Sequence, residues 1–227
     1  AWARELLLER VGDRAAEVGL AAYEFLTKED ADKKRAAYHL AALDSPALQV
    51  RLAGPKGALA TSDPAPLRQR LIELLQTEEA PQFIAAIETI DQLLPNDAQA
   101  FALAFESAFY LLRVRAGELC GKRRDNRAVG PMQALLSIAK TDHDRPSDSL
   151  RQRAASALAD VGDPASIPSL ASLLHDEDPL VREQGARGLA TACHSGNEQA
   201  LVAALAHADL AVRSWAGDGL AKLGDSR

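Results

Sequence analysis

Apolar and polar positions follow one regular pattern over the last third of the chain, and this pattern recurs every 31 residues. Three pairs mark it: Leu150-Arg151, Val181-Arg182 and Val212-Arg213. Within each copy the apolar positions are three and four residues apart, which is the spacing of one face of a helix. Repeats of this length bury that face only against their neighbours, so the pattern predicts a right-handed solenoid of stacked antiparallel helix pairs.

Helical spacing continues upstream without a strict repeat. We predict two helices in residues 2–28, divided at Gly12-Asp13. A third helix is predicted from Asp30, with its apolar residues turned inward: Ala36, Ala37, Leu40 and Leu43. Gly54-Pro55 predicts that the following helix is short or broken, because neither residue favours a helix interior.

The middle of the chain contains a local copy of the repeat. Leu67-Arg68-Gln69-Arg70 has the same order as Leu150-Arg151-Gln152-Arg153, and Pro81 is expected to begin the second helix of this copy. The most apolar helix is predicted from Phe101 to Val114. Loops are expected at about residues 121–130 and 141–149, which makes them the main insertions.

Short side chains and helix caps recur in the regular repeats. Asp163-Pro164 and Asp178-Pro179 each place a side-chain acceptor and a proline where a helix begins. Small residues share two positions of the repeat, namely Ala155, Ala186 and Gly217 at one and Ala157, Gly188 and Gly219 at the other. We expect neighbouring helices to approach closely at these positions.

Composition supports an all-α fold and narrows the function. The chain is 47% hydrophobic with 4% aromatic residues, so its core must be aliphatic, and Ala and Leu favour helices over strands. The net charge of −6 argues against a general polyanion binder.

Cysteine usage and the absence of apolar runs indicate a cytoplasmic protein without membrane insertion. Cys120 and Cys193 are far apart and lack CxxC spacing, so we interpret both as reduced thiols. No stretch of about 18 apolar residues and no secretory signal occurs in the sequence. The chain starts at Ala1 rather than Met, which leaves open that it is part of a longer protein.

The run from Leu150 to Pro164, followed by Ile167-Pro168-Ser169-Leu170, resembles a HEAT repeat of the short, phycobilisome-lyase-like subtype. This resemblance implies an α-solenoid of the kind that most often serves as a scaffold for protein binding. We predict one continuous solenoid of about six to seven helix pairs. Residues 1–146 would form a degenerate helical-repeat region and residues 147–227 regular HEAT-like repeats.

These features favour a non-enzymatic protein-interaction scaffold or adaptor, whose partner is another protein of unknown identity. The second helices of the repeats would supply contacts such as Ser166, Ser169, Ser172 and His175. Two alternatives stay open: a nucleic-acid-binding HEAT-like protein, disfavoured by the net charge, and a phycobilin-lyase-like enzyme or chaperone. No catalytic, cofactor or metal site is predicted, and no His-Glu pair of the kind that ligates metal in the HEAT-like deoxyhypusine hydroxylases occurs.

Two sets of residues are candidates for partner binding. The first is a basic cluster at a helix end and the loop after it, comprising Arg113, Arg115, Lys122, Arg123, Arg124 and Arg127. It is either a solvated set of cations near a helix C-terminus or a docking site for an acidic partner. A ladder of arginines at positions 151, 182 and 213 is interpreted as structural, with Asp163, Asp178 and Asp209 as candidate partners; a phosphate-binding stripe is the alternative.

Trp215 is the second candidate, because it occupies the repeat position of Arg153 and Gln184. Two polar residues at that position predict that it faces solvent. A tryptophan there would cover the end of the solenoid, pack on a continuation of the chain, or anchor a partner.

Overall fold

The computed structural model describes residues 2–28, 36–58, 65–77, 80–138, 146–192 and 197–225. Regular structure in these segments is entirely helical, and the predicted all-α solenoid fold is confirmed. The chain divides into two compact units, Ala1–Ala104 and Phe105–Arg227. Within the described segments no helix is both long and apolar enough to cross a membrane.

The described residues of the first unit include six complete helices. They are α1 (Trp2–Val11), α2 (Ala16–Lys28), α3 (Ala36–Leu43), α4 (Leu48–Ala58), α5 (Ala65–Leu74) and α6 (Ala80–Leu93), and the unit ends within α7 (Ala98–Glu106). The predicted division at Gly12-Asp13 and the start near Pro81 are confirmed. Asp97 begins α7 as its N-cap, since its side chain accepts a hydrogen bond from the Ala100 N–H at 3.0 Å.

The second unit alternates long and short helices. They are α8 (Tyr110–Arg123), α9 (Val129–Leu136), α10 (Asp148–Val161), α11 (Ile167–Leu173), α12 (Pro179–Ala192), α13 (Glu198–Ala204) and α14 (Leu210–Asp225). Short 3-10 turns precede α9 and α11, at Asn126–Ala128 and Pro164–Ser166. The long helices α8, α10, α12 and α14 pack in that order, and the short helices pack beside them.

Glycines set the close spacing of the long helices. A Cβ atom on Gly188 would lie 3.0 Å from the Cα of Ala159, and one on Gly219 would lie 2.9 Å from the Cα of Ala190. The distance at Gly219 is shorter than real Cβ contacts, and the distance at Gly188 is tighter than nine in ten of them, so glycine favours this close approach at both positions. The predicted role of the Gly188 and Gly219 position is therefore confirmed.

The predicted N-caps of the regular repeats are also present. The Asp163 side chain accepts a hydrogen bond from the Ala165 N–H at 2.7 Å, and the Asp178 side chain accepts one from the Leu180 N–H at 2.8 Å. Local sequence therefore determines where these helical segments begin.

Three predicted elements are wrong. Helix α4 continues through Gly54-Pro55, where the glycine lets α3 approach: a Cβ there would lie 3.2 Å from the Ala42 Cβ. The apolar helix predicted from Phe101 to Val114 consists of two helices, because the helix is interrupted at residues 107–109. Phe109, in this interruption, is 37% exposed. The loop predicted from about residue 121 is largely helical, since α8 continues to Arg123 and α9 begins at Val129.

The inward face of α3 also differs from the prediction. Ala37 is exposed, whereas Tyr38, His39 and Ala42 are buried with Leu43. His39 is fully buried, and its Nδ1 lies 2.8 Å from the hydroxyl of Tyr23 in α2. Its Nε2 is buried without a hydrogen-bond partner in the described structure. Burial lowers the pKa of His39 to about 4 and raises the pKa of Tyr23 above its ordinary value.

The buried His39 makes stability depend on pH. Its pKa is about 4 when folded and about 6.5 when unfolded, so the unfolded chain binds the additional proton between these values. We expect the free energy of unfolding to fall by about 3 kcal/mol from this residue as the pH decreases from 6.5 towards 4. His39→Phe should remove this part of the pH dependence, measured by urea denaturation across that range. The exposed His175→Ala variant is the control, and a pH profile unchanged by His39→Phe would contradict the assignment.

Candidate functional site

The arginine near the start of α12, and the one near the start of α14, each bind the turn that precedes the helix. Arg182 Nη1 donates to the carbonyl oxygens of Asp176 and Glu177, both at 2.9 Å. Arg213 Nη1 makes the equivalent bonds to the carbonyl oxygens of residues 207 and 208, both at 2.8 Å. The planar guanidinium suits this task, because it offers several donors in a fixed geometry.

The same arrangement occurs at Arg51 in the first unit, where sequence reasoning did not find it. Arg51 Nη1 donates to the carbonyl oxygens of Ser45 and Pro46, at 2.9 and 2.8 Å. The sequence contains the signal, since Val50-Arg51 follows Ser45 at the same interval as Val181-Arg182 follows Asp176. Each of these two side chains accepts a hydrogen bond from the backbone N–H two residues further on.

The arginine ladder is structural, as predicted, although its partners differ in part. Arg182 Nη2 binds Asp209 Oδ2 at 3.0 Å, and this hydrogen bond holds the pKa of Asp209 below its ordinary value. Arg151 binds Asp176 rather than Asp163 or Asp178. Asp178 instead accepts a hydrogen bond from the Gln152 side chain at 2.7 Å.

Side chains of two further arginines, one in α8 and one in α10, bind a single carboxylate. Arg115 of the basic cluster lies 2.8 Å from Glu118, and Arg153 of α10 lies 2.6 Å from the same side chain. Burial would raise the pKa of Glu118, but the hydrogen bonds from Arg153 and Arg115 outweigh it and the pKa is lowered. Glu118 therefore joins α8 to α10 and neutralises part of the basic cluster.

Three more cations of the basic cluster are engaged within the second unit. Arg127 binds Asp125 at 2.5 Å, and Arg123 lies 3.8 Å from the same carboxylate. Arg113 donates to the Phe105 carbonyl oxygen at 2.8 Å, and its guanidinium lies 5.6 Å from the centre of the Tyr110 ring. The hydrogen bond from Arg127 holds the pKa of Asp125 below its usual value.

The other two cations of the cluster, Lys122 and Arg124, are exposed at the C-terminal end of α8. Arg124 has a φ of 54° and ends the helix in the left-handed conformation. The structure thus brings the predicted cluster together. Four of its cations bind carboxylates, a carbonyl oxygen or an aromatic ring of the chain, and two extend into solvent.

Trp215 lies in α14 and is half-buried, as are Arg153 and Gln184 at the same repeat position. The prediction that this position faces solvent holds only for part of each side chain.

The short helices of the second unit are the second helices of the predicted repeats, from which Ser169 and Ser172 were expected to contact a partner, and they present an almost uncharged surface. We call nine of its half-buried or exposed residues the neutral face, and they are Gly130, Gln133, Ala134, Pro168, Ser169, Ser172, Gln199, Val202 and Ala203. Glu198 is the one ionisable residue of α9, α11 and α13, each of which is described in full. Val202 is 54% exposed. The sequence signal is the lack of charge in residues 129–136, 167–173 and 199–204.

Hydrogen bonds fix the spacing of the short helices. The Gln133 side chain donates to the Ala165 carbonyl oxygen at 3.3 Å, which joins the ends of neighbouring repeats. His207 Nδ1 accepts from the Asp209 N–H at 3.0 Å, so Nε2 carries the hydrogen and donates to the Leu174 carbonyl oxygen, also at 3.0 Å. Ser166, expected to contact a partner, is instead buried, and its hydroxyl donates to the Asp163 carbonyl oxygen.

An open groove of about 520 Å³ lies between the turns that precede α12 and α14, lined by Leu174, His175, Asp176, Arg182, His207, Ala208 and Asp209. The polar groups of these turns are largely bonded to one another, as described above.

Within the described segments no group of three or more His, Cys, Asp or Glu side chains could hold a metal ion. Burial raises the pKa of the Cys120 thiol to about 12. Cys193, His143 and His194 are outside the described residues.

The long helices stack in sequence order, and arginines bind the turns before α12 and α14. These features define a helical-repeat protein. HEAT repeats match residues 98–190 and 170–227, which together span more than half of the chain. The chain therefore belongs to the HEAT repeat family. The match extends upstream of the regular repeats that the sequence pattern identified from residue 147.

Two solved structures with a similar fold are designed armadillo repeat proteins. A computationally designed armadillo repeat protein for modular peptide recognition is 14% identical, with a TM-score of 0.50, over 96% of this chain and 98% of that one. A second designed armadillo repeat protein is 16% identical, with a TM-score of 0.51 and the same coverage. At these identities the likeness shows the fold. No match was found among curated protein sequences.

The ladder predicts unequal costs for two substitutions in the second unit. Asp176→Asn should lower the free energy of unfolding by about 3 kcal/mol, because it removes the carboxylate that binds the buried guanidinium of Arg151; the side chains of this pair are 7% and 10% exposed. Asp160→Asn removes the partner of Arg187, in a pair whose side chains are 41% and 24% exposed, and should cost less than about 1 kcal/mol. Urea denaturation measures both, and equal costs would contradict the structural role of Arg151.

Proposed function

We propose that this HEAT repeat protein is a non-enzymatic scaffold that binds a segment of another protein through the neutral face of α9, α11 and α13. The observation that carries the proposal is the separation of charge between the two sets of helices. The long helices carry nearly all ionisable residues of the second unit's helices, and many of these pair with one another. The neutral face has none of the bulky charged side chains that resist burial.

Desolvation explains why such a surface suits a protein ligand. Burying a charged side chain costs several kcal/mol unless it is paired, and the central parts of protein interfaces are depleted in charge. Ser172 and Gln199 offer hydrogen-bonding groups, while Val202 offers apolar area. The small residues Gly130, Ala134 and Ala203 allow a ligand backbone to approach the helices closely.

The designed armadillo repeat protein with this fold is described as made for modular peptide recognition. A peptide or an exposed segment of a protein is accordingly the ligand class that we propose for this chain. The identity of the partner stays open.

The basic cluster supports a second candidate surface less well. Arg113, Arg115, Arg123 and Arg127 contact acidic, carbonyl or aromatic groups of the chain itself. Only Lys122 and Arg124 extend into solvent, whereas binding to nucleic acid normally uses a broad positive surface. The net charge of −6 also disfavours that partner.

The proposal can be tested with a displayed library of random peptides selected on the purified protein. Enriched peptides should lose at least about tenfold in affinity for Ser172→Arg and for Val202→Arg, because either change places a charge on the neutral face. Both side chains are exposed, so the variants should keep the wild-type circular dichroism and unfolding midpoint.

The matched control is Lys122→Glu with Arg124→Glu, which changes the exposed cations and leaves the neutral face intact. Peptide binding should survive this double change. Binding that is lost in the control but unchanged by Ser172→Arg would contradict the proposal and move the site to the basic cluster.

A further inference from the structure

One face of α14 is exposed although the same face of the preceding long helices is fully buried. Ala155 and Ala186 are inaccessible to solvent, as are Ala159 and Ala190. The corresponding residues of α14 are Gly217, which is half-buried, and Ala221, which is exposed. Together with Ser214 they form a stripe along the helix, because their positions are three and four residues apart.

The packing of the earlier repeats shows what this stripe can receive. Ala159 and Ala190 are each covered by a glycine of the following long helix, at Gly188 and Gly219. The stripe of α14 therefore continues a helix-packing surface that the second unit already uses twice. A Cβ atom on Gly217 would meet nothing within 4 Å, so there is room for a second helix at this position.

Two unpaired charges of opposite sign flank the stripe. Arg213 binds carbonyl oxygens through Nη1, but within the described segments no carboxylate occupies the place that Asp209 takes beside Arg182. Asp218, on the other side of the stripe, is exposed and forms no ion pair in the part of the chain that the structure describes.

The spacing of Arg213 and Asp218 indicates which helix would fit against the stripe. When two parallel helices pack along such stripes, a residue on one side of the first stripe lies opposite a residue on the other side of the second stripe. The second residue is about five positions later in the sequence, as in the charge pairs of parallel coiled coils. Arg213 and Asp218 are five positions apart and on opposite flanks. A second copy of α14 in parallel would thus form two Arg213–Asp218 pairs, whereas a single helix satisfies neither charge.

We propose that two copies of this chain associate through the stripe of α14, with Ser214, Gly217 and Ala221 at the centre and Arg213 paired with Asp218 on both sides. Leu205, which is 43% exposed while its counterpart Leu174 is 6% exposed, adds apolar area beside the stripe. The face is small for a stable interface, so we expect a weak dimer that depends on concentration.

Sedimentation equilibrium of the full chain at low salt tests this interface. The wild type should dimerise reversibly, and Arg213→Asp or Asp218→Arg should each weaken dimerisation at least about tenfold by placing like charges opposite each other. The double variant with both changes should restore dimerisation, because it exchanges the two signs. Gly217→Arg should abolish the dimer sterically while the monomer stays folded, since that side chain has room in the single chain.

Lys222→Asp is the matched control, as this exposed residue is on the same helix outside the stripe. It should leave the dissociation constant unchanged. A chain that stays monomeric at every concentration, or a dimer that neither the single reversals nor Gly217→Arg affects, would overturn the proposal. A double variant no better than the single reversals would overturn the parallel pairing.

Discussion

The guanidinium of Arg182 binds two turns of the chain at once. One nitrogen donates to two carbonyl oxygens of the turn before α12, and another binds Asp209 in the turn before α14. Carbonyl groups in a turn have no helical partner, and a charged donor satisfies them more strongly than a neutral one. The distance from one turn to the next is fixed by the same side chain, so the spacing of the short helices depends on it.

Close packing of the long helices imposes the second constraint. Gly188 and Gly219 allow the backbones to approach until each glycine meets an alanine Cα of the preceding helix. Ionisable side chains of the long helices pair with those of a neighbouring long helix, as Arg187 does with Asp160 at 2.5 Å and Arg153 with Glu118 at 2.6 Å. The short helices α9, α11 and α13 contain Glu198 as their one ionisable residue.

Sequence predicted the parts of this fold that local chemistry determines. The repeat interval, the caps at Asp163 and Asp178 and the glycine contact at Gly188 all follow from residue type and position. The break at residues 107–109 was not predicted, because apolar residues continue across it; the Ser107 hydroxyl, which accepts from the Phe109 N–H at 3.1 Å, was the available signal. The engagement of the basic cluster depends on tertiary contacts such as Arg153 with Glu118, although the spacing of Arg115 and Glu118 already indicated one local pair.

The motif shared by Leu67–Arg70 and Leu150–Arg153 has the same ion-pair pattern in both units. Its first arginine binds a carboxylate later in the chain, Arg68 with Asp97 at 2.5 Å and Arg151 with Asp176. Its second arginine binds one earlier in the chain, Arg70 with Asp44 at 2.8 Å and Arg153 with Glu118. Four matching residues are weak evidence of a repeat, but in both copies the first arginine binds a later carboxylate and the second arginine an earlier one. The two motifs therefore share the directions of their ion pairs, although the intervals along the chain between the paired residues differ.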